Sequence, residues 1–241
     1  MTESFITIKN TDVFDGGSLK PSALQRYMQS LAFDDCESIG CTYKALRALG
    51  AVFVITKLGM KFSRAVKEGE TLKAVTYNNK VGGITFIREF EFYSGETEVI
   101  HATTEWVLVN FDTRAIVRPR DLPFDFVSLG KECASVPLPR AFAFPELDKD
   151  FEREVTSADL DDNLHLNNCV YSDIALSGFV FDAKKVYPKE TYIIFRHEAR
   201  EGEKLLLKTA ENGYEKYLTA ENVTKNTQCF DFKAVFDDIN G

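Results

Sequence analysis

The sequence predicts an α+β protein made of two similar units, each a helix followed by a run of long antiparallel strands. Three observations predict it. Lys67-Glu68-Gly69-Glu70-Thr71-Leu72 recurs as Arg200-Glu201-Gly202-Glu203-Lys204-Leu205, and Met60 and Phe62 match Ile193 and Phe195 at the same offset of 133. Five of the seven prolines fall between Pro119 and Pro145, which marks an irregular joining segment. In each part helical spacing comes first and strand-like runs follow, the order of an α+β unit. The chain therefore divides into an N-terminal unit (1–118), a Pro-rich linker (119–147) and a C-terminal unit (148–241).

In the first unit, Leu24, Tyr27, Met28, Leu31 and Ala32 form a helical stripe, with Pro21 at its first turn. Asp15-Gly16-Gly17-Ser18-Leu19-Lys20-Pro21 precedes it and takes the place that Asp161 to Asn167 takes in the second unit, at an offset of 146. The two offsets differ by 13 residues, and Cys41–Leu49 reads as an added short helix stopped by Gly50. Strands are expected at 51–63, 71–78, 84–94 and 99–111. In the second unit the apolar segment Cys169–Phe181 reads as the helix. Strands are expected there at 190–199, 203–210, 214–221 and 227–236. Two such units, each exposing a sheet edge, can join into one continuous sheet.

Composition removes several function classes. The 241 residues carry a net charge of −8, which disfavours nucleic acid as a partner. No apolar run approaches the roughly 18 residues of a membrane span. Met1-Thr2-Glu3-Ser4 has no signal-peptide character. Five scattered cysteines include no CxxC pair, so neither a disulfide framework, a zinc site nor a cofactor is expected, and a reduced, cytoplasmic setting is.

Asp161-Asp162-Asn163-Leu164-His165-Leu166-Asn167-Asn168 is the stretch richest in chemistry. In an extended segment Asp161, Asn163, His165 and Asn167 point to one side, giving a face with an acid, two amides and an imidazole. The positive end of the following helix would stabilise developing negative charge there. Helix capping accounts for Asn167 or Asn168 but not for His165 and Asp161.

These features together resemble the acyl-acyl carrier protein thioesterases. Asp159 to Asn168 is similar to that family's DLDxNxHxNN signature. Thr103-Thr104-Glu105-Trp106-Val107-Leu108-Val109-Asn110-Phe111-Asp112-Thr113-Arg114 is similar to its S/T-x-W-V-x-x-N-x-x-T-R block. Tyr192 to Glu198 more weakly resembles its strand bearing a catalytic glutamate. The resemblance implies a tandem (double) hot-dog fold, each unit a central helix wrapped by a curved antiparallel sheet. It implies catalytic roles for Asp161, Asn163, His165 and Glu198. It also implies an acyl carrier protein as partner, in a monomeric pseudo-dimer or a homodimer. Plant relatives carry a cysteine directly after that glutamate; here the position is Ala199.

The chemistry so implied is hydrolysis of a fatty acyl thioester. Asp161 or Glu198 would activate water or attack the carbonyl, with Asp161 favoured for positioning or activating the nucleophile and Glu198 for completing the network. Backbone N–H groups at the helix start, with Asn163 or His165, would polarise the carbonyl. The alternatives are an acyl-CoA thioesterase of the same fold and a hydroxyacyl-thioester dehydratase. Elsewhere, Arg114, Arg118 and Arg120 read equally as a carrier-docking patch or a solvated loop. His197 reads as a surface residue, His101 as structural at a strand start, and Trp106 and Asn110 as packing residues.

Overall fold

The computed structural model describes residues 1–133 and 136–239. Two helix-and-sheet units join edge to edge into one sheet of eleven strands. The first half contains β1 (Thr2–Thr7), α1 (Pro21–Glu37), α2 (Tyr43–Ala48), β2 (Ala51–Phe62), β3 (Thr71–Gly82), β4 (Thr85–Ser94), β5 (Thr97–Asn110) and the short β6 (Ile116–Val117). The second contains β7 (Lys149–Glu154), α3 (Val170–Ser177), β8 (Val186–Phe195), β9 (Lys204–Asn212), β10 (Glu215–Asn222) and β11 (Thr227–Asp238). The order is β1-β3-β4-β5-β2-β8-β11-β10-β9-β7, with β6 beside β5, so each half repeats the other's path. All pairings are antiparallel. Every pair of β2 and β8, such as Leu58 with Ile193 and Met60 with Thr191, exchanges under the 133-residue offset, so a pseudo-twofold axis passes between Gly59 and Tyr192.

The outer strands β1 and β7 lie outside the expected strand ranges. Their segments, Thr-Glu-Ser-Phe-Ile-Thr and Lys-Asp-Phe-Glu-Arg-Glu, are polar and mostly exposed, as edge strands that resist further pairing are. β8 begins earlier than expected because Pro188 is accommodated where its pairing with β11 slips in register. It ends at Phe195, where the N–H groups of Arg196 and His197 both turn to the Cys229 carbonyl.

Both helices lie on the same face of the sheet. Leu24, Met28 and Leu31 of α1 are buried with Leu58, Phe90, Phe92 and Ile100. Ile174 and Ala175 of α3 are buried with Ile193, Leu218 and Phe232. The second helix is shorter than the expected Cys169–Phe181. It stops at Ser177, and Gly178 just beyond lies against Phe151, where a Cβ would come within 2.8 Å of the ring.

The repeat register before the helices also needs correction. The bridges Val13–Leu19 and Leu160–Leu166 are equivalent and lie 147 residues apart, not 146. Asp161 therefore corresponds to Phe14, Asn163 to Gly16 and His165 to Ser18. The offset falls from 147 to 133 after the helices, and the fourteen-residue difference is the segment carrying α2. No helix among the described residues is long and apolar enough to cross a membrane.

Candidate active site

The Asp161–Asn168 stretch is a tight loop, not an extended face. Asp161 N–H donates to the His165 carbonyl (2.8 Å) and Leu164 N–H to the Asp161 carbonyl (3.0 Å). The Asp161 carboxylate turns back into this loop, where Oδ1 accepts the N–H groups of Asn163 (2.8 Å) and His165 (3.1 Å). A short acidic side chain captures nearby backbone donors in this way more readily than it stays in a strand. Leu164 adopts φ 60° and is 69% exposed, a left-handed position that costs a non-glycine residue roughly 1–2 kcal/mol. The expected alternation of Asp161, Asn163 and His165 on one face is thus overturned. Asp161 underpins the loop, and Asn163 and His165 project from it.

Glu198 reaches the loop from the segment after β8. Leu166 N–H donates to the Ala199 carbonyl (2.8 Å), which ties the two segments together. His165 Nε2 then lies 2.8 Å from Glu198 Oε2, close enough for a hydrogen bond but off its best alignment, so a small ring rotation would complete it. His165 is largely buried and Glu198 about one-third exposed.

A guanidinium from the other half holds the opposite side of this carboxylate. Arg114 Nη2 sits 2.5 Å from Glu198 Oε1 and 2.6 Å from Oε2. Its turn is built by Asn110, whose Oδ1 accepts the N–H groups of Asp112 (3.1 Å) and Thr113 (2.9 Å), and Arg114 completes it at φ 59°. Burial raises the Glu198 pKa, but the His165 hydrogen bond and charge, with the charges of Arg114 and Arg200, outweigh it and hold the carboxyl below its ordinary value. Asn163 also has a partner from the first half: Tyr43, on α2, donates its hydroxyl to Oδ1 at 2.7 Å. That bond leaves the Asn163 amide NH₂ as a donor.

The structure therefore brings Asn163, His165 and Glu198 together with Asp161 beneath them, and adds Arg114 and Tyr43. Arg114 ends the Thr103–Arg114 block, where the sequence leaves a carrier-docking patch and a solvated loop equally open; its side chain instead meets Glu198. Nothing in the sequence signalled Tyr43. Asn167 caps α3 through an Oδ1 bond from Cys169 N–H (2.9 Å), and its carbonyl accepts Val170 N–H (2.8 Å). Those two backbone donors are already occupied. His197 is exposed, as expected, and contacts the Gln228 carbonyl. His101 is not at a strand start without partners: it lies inside β5 between Glu98 and Glu89.

Comparison with known proteins accounts for nearly the whole chain. Residues 4–125 match the acyl-ACP thioesterase N-terminal domain and residues 145–235 the acyl-ACP thioesterase C-terminal domain. The chain belongs to the acyl-ACP thioesterase family. It is accordingly a thioester hydrolase with the double hot-dog fold. It is similar to an acyl-ACP thioesterase from Bacteroides thetaiotaomicron VPI-5482, with a TM-score of 0.89 at 15% identity over 98% of this chain and 97% of that one. It is also similar to the 12:0-ACP thioesterase from Umbellularia californica, with a TM-score of 0.79 at 14% identity over 98% and 97% of the two chains. No curated protein sequence matches it.

In this thioesterase two small apolar cavities flank Trp106. One, about 30 Å³, runs from Asn168 and Cys169 at the start of α3 to Met28, Ile55, Phe90 and Trp106. The other, about 50 Å³, lies beyond the indole among Phe33, Cys36, Phe53, Phe86 and Arg88. Trp106 is anchored by an Nε1–H bond to Thr104 Oγ1 (2.8 Å). The thiols nearest the site are poor nucleophiles: burial pushes Cys169 and Cys229 up to about 12.

Proposed function

We propose that this enzyme hydrolyses fatty acyl-acyl carrier protein thioesters to free fatty acid and carrier thiol at a single site in the second half. The observation that supports this most directly is Glu198, fixed between His165 Nε2 and the Arg114 guanidinium. A carboxylate so paired is a weak base but a good orienting group, and the imidazole it orients is the general base. His165 then uses its other nitrogen, Nδ1, to take a proton from water as the water oxygen attacks the thioester carbon. The Asn163 amide, oriented by Tyr43, donates to the carbonyl oxygen as it gains negative charge. Collapse of the tetrahedral intermediate breaks the C–S bond, and the imidazolium returns its proton to the departing thiolate. Asp161 is a positioning residue, holding the loop that presents Asn163 and His165.

In this reading the chain works as two units and a connection. Residues 148–241 carry the reacting groups, and residues 119–147 connect the halves. Residues 1–118 supply the acyl-pocket walls and two supporting side chains. Phe14, Gly16, Ser18 and Ala65 stand where the second unit has Asp161, Asn163, His165 and Glu198, so the first unit has no equivalent chemistry. The acyl chain enters past Asn168 and Cys169 and runs towards Trp106.

The test is a panel of acyl-carrier and acyl-CoA thioesters of graded chain length, followed for free thiol and analysed for product. Free acid with higher kcat/KM for the carrier substrates is expected. Equal or higher values for acyl-CoA would overturn the carrier assignment. An enoyl thioester product would overturn hydrolysis altogether.

A further inference from the structure

We propose a second polar site, remote from the thioesterase centre: a divalent transition-metal site of the zinc class formed by Glu89, His101 and Cys133. Glu89 on β4 and His101 on β5 face away from the helices, because they alternate with the core residues Phe90, Ile100 and Ala102. The linker crosses this outer face. Leu129 and Gly130 donate their N–H groups to the carbonyls of Asn78 and Asn79 (both 3.0 Å), and Val136 N–H donates to Thr103 Oγ1 (2.8 Å). This path delivers Cys133 to the strand pair. One ligand atom from each of Glu89, His101 and Cys133 lies within 4.8 Å of the others.

Three features fit a metal better than a plain hydrogen-bonded cluster. The first is the donor set, a carboxylate oxygen, an imidazole nitrogen and a sulfur, which suits borderline-soft zinc and leaves a fourth position open. The second is the support around it. His101 Nδ1 contacts Glu98 Oε1 at 2.6 Å, the outer partner that fixes a metal-binding imidazole with Nε2 aimed inward, at Glu89. Thr103 Oγ1 donates to Glu89 Oε2 (2.5 Å), and Asn79 Nδ2 donates to Cys133 Sγ (3.4 Å). The third is charge. Glu89 is wholly buried and His101 is 7% exposed, and among the described residues the surrounding network holds the carboxylates Glu89, Glu91 and Glu98 and the Lys131 ammonium, which lies on Glu91. A divalent cation would offset the buried negative charge as the thiol loses its proton. Its ligands are scattered along the chain, without a CxxC pair, so no local spacing marks the site. Bound there, the metal would pin the linker to the outer face of the first half.

Equilibrium dialysis of the full-length enzyme against zinc should give about one equivalent, released by chelator, with affinity lowered at least about tenfold in Cys133→Ser and in His101→Ala. Cys133→Ser alters only an irregular linker position, so it tests the site without disturbing the strands. Cobalt(II) on the unaltered enzyme should add a near-ultraviolet thiolate charge-transfer band that Cys133→Ser abolishes. No zinc retained, unchanged affinity in either variant, or cobalt bound without the thiolate band would each overturn the proposal. None of these readouts depends on thioester hydrolysis, so the two proposals fail separately.

Discussion

Arg114 and Glu198 lie 84 residues apart and in different halves, yet their side chains meet at 2.6 Å. This pair brings a side chain of the first half into the candidate site of the second. If Glu198 is kept ionised partly by this guanidinium, its removal has a predictable sign. The Glu198 pKa is lowered in the folded enzyme, so the competent form persists above that value and is lost as pH falls through it. In Arg114→Ala the acid limb of kcat/KM should move to higher pH, and kcat should fall by roughly 10- to 100-fold. A pH–rate profile that keeps its acid limb would remove Arg114 from this role.

The reacting groups should be confined to the second half. His165→Ala and Glu198→Gln should each lower kcat by roughly 10²-fold or more, the range for a lost acid–base group. Asp15→Asn should change kcat by less than about threefold, since Asp15 matches Asp162 and not Asp161 in the corrected register. Steady-state kinetics on folded variants decide this, and comparable losses at Asp15 and His165 would refute a single site.

Cysteine should be dispensable for turnover. Ala199 follows Glu198, and Cys169 and Cys229 are buried thiols with raised pKa values. Cys169→Ser and Cys229→Ser should retain kcat within about threefold if folded, because neither removes a reacting group. A loss of several orders of magnitude with an intact fold would require a thiolate mechanism.

Trp106 separates the two cavities and should set chain-length preference. Trp106→Ala should join them and raise kcat/KM for longer acyl chains relative to shorter ones by about tenfold or more, each buried methylene being worth about 0.8 kcal/mol. Trp→Ala also costs about 3–5 kcal/mol of stability in a packed site, so Tm should be measured alongside. An unchanged chain-length profile would place the acyl chain elsewhere.

Carrier recognition should be screened by salt. With Arg114 engaged at Glu198, the exposed Arg118 and Arg120 remain from the basic cluster. Raising salt from about 0.05 M to about 0.5 M shortens the screening length about threefold and should raise KM for acyl carrier protein more than for acyl-CoA. Arg118→Glu should reduce that difference. Equal salt responses for both substrates would count against an electrostatic docking surface.

Most of the sheet was legible because alternation and Gly turns leave local marks. The edge strands β1 and β7 were not, since exposure on both faces erases the alternation that reveals a strand. At the centre, Asn163, His165 and Glu198 were legible as residue types in a recognisable pattern. Their geometry was not, because Asp161 captures two backbone N–H groups and folds an apparently extended segment into a loop. Tyr43 could not be read at all. It is 120 residues from Asn163 and lies on α2, which has no counterpart among the described residues of the second half.

That unmatched segment bears on how a duplicated protein can specialise. The α2 segment belongs to the first half, and through Tyr43 it reaches across to Asn163 in the second. Two copies of the second half could re-create the β8 edge-to-edge joint, but each would leave Glu198 without a guanidinium and Asn163 without a phenol. If Asn163 and Glu198 act as proposed, the halves are mutually dependent parts, and cutting them into separate modules would remove both cross-half contacts at once.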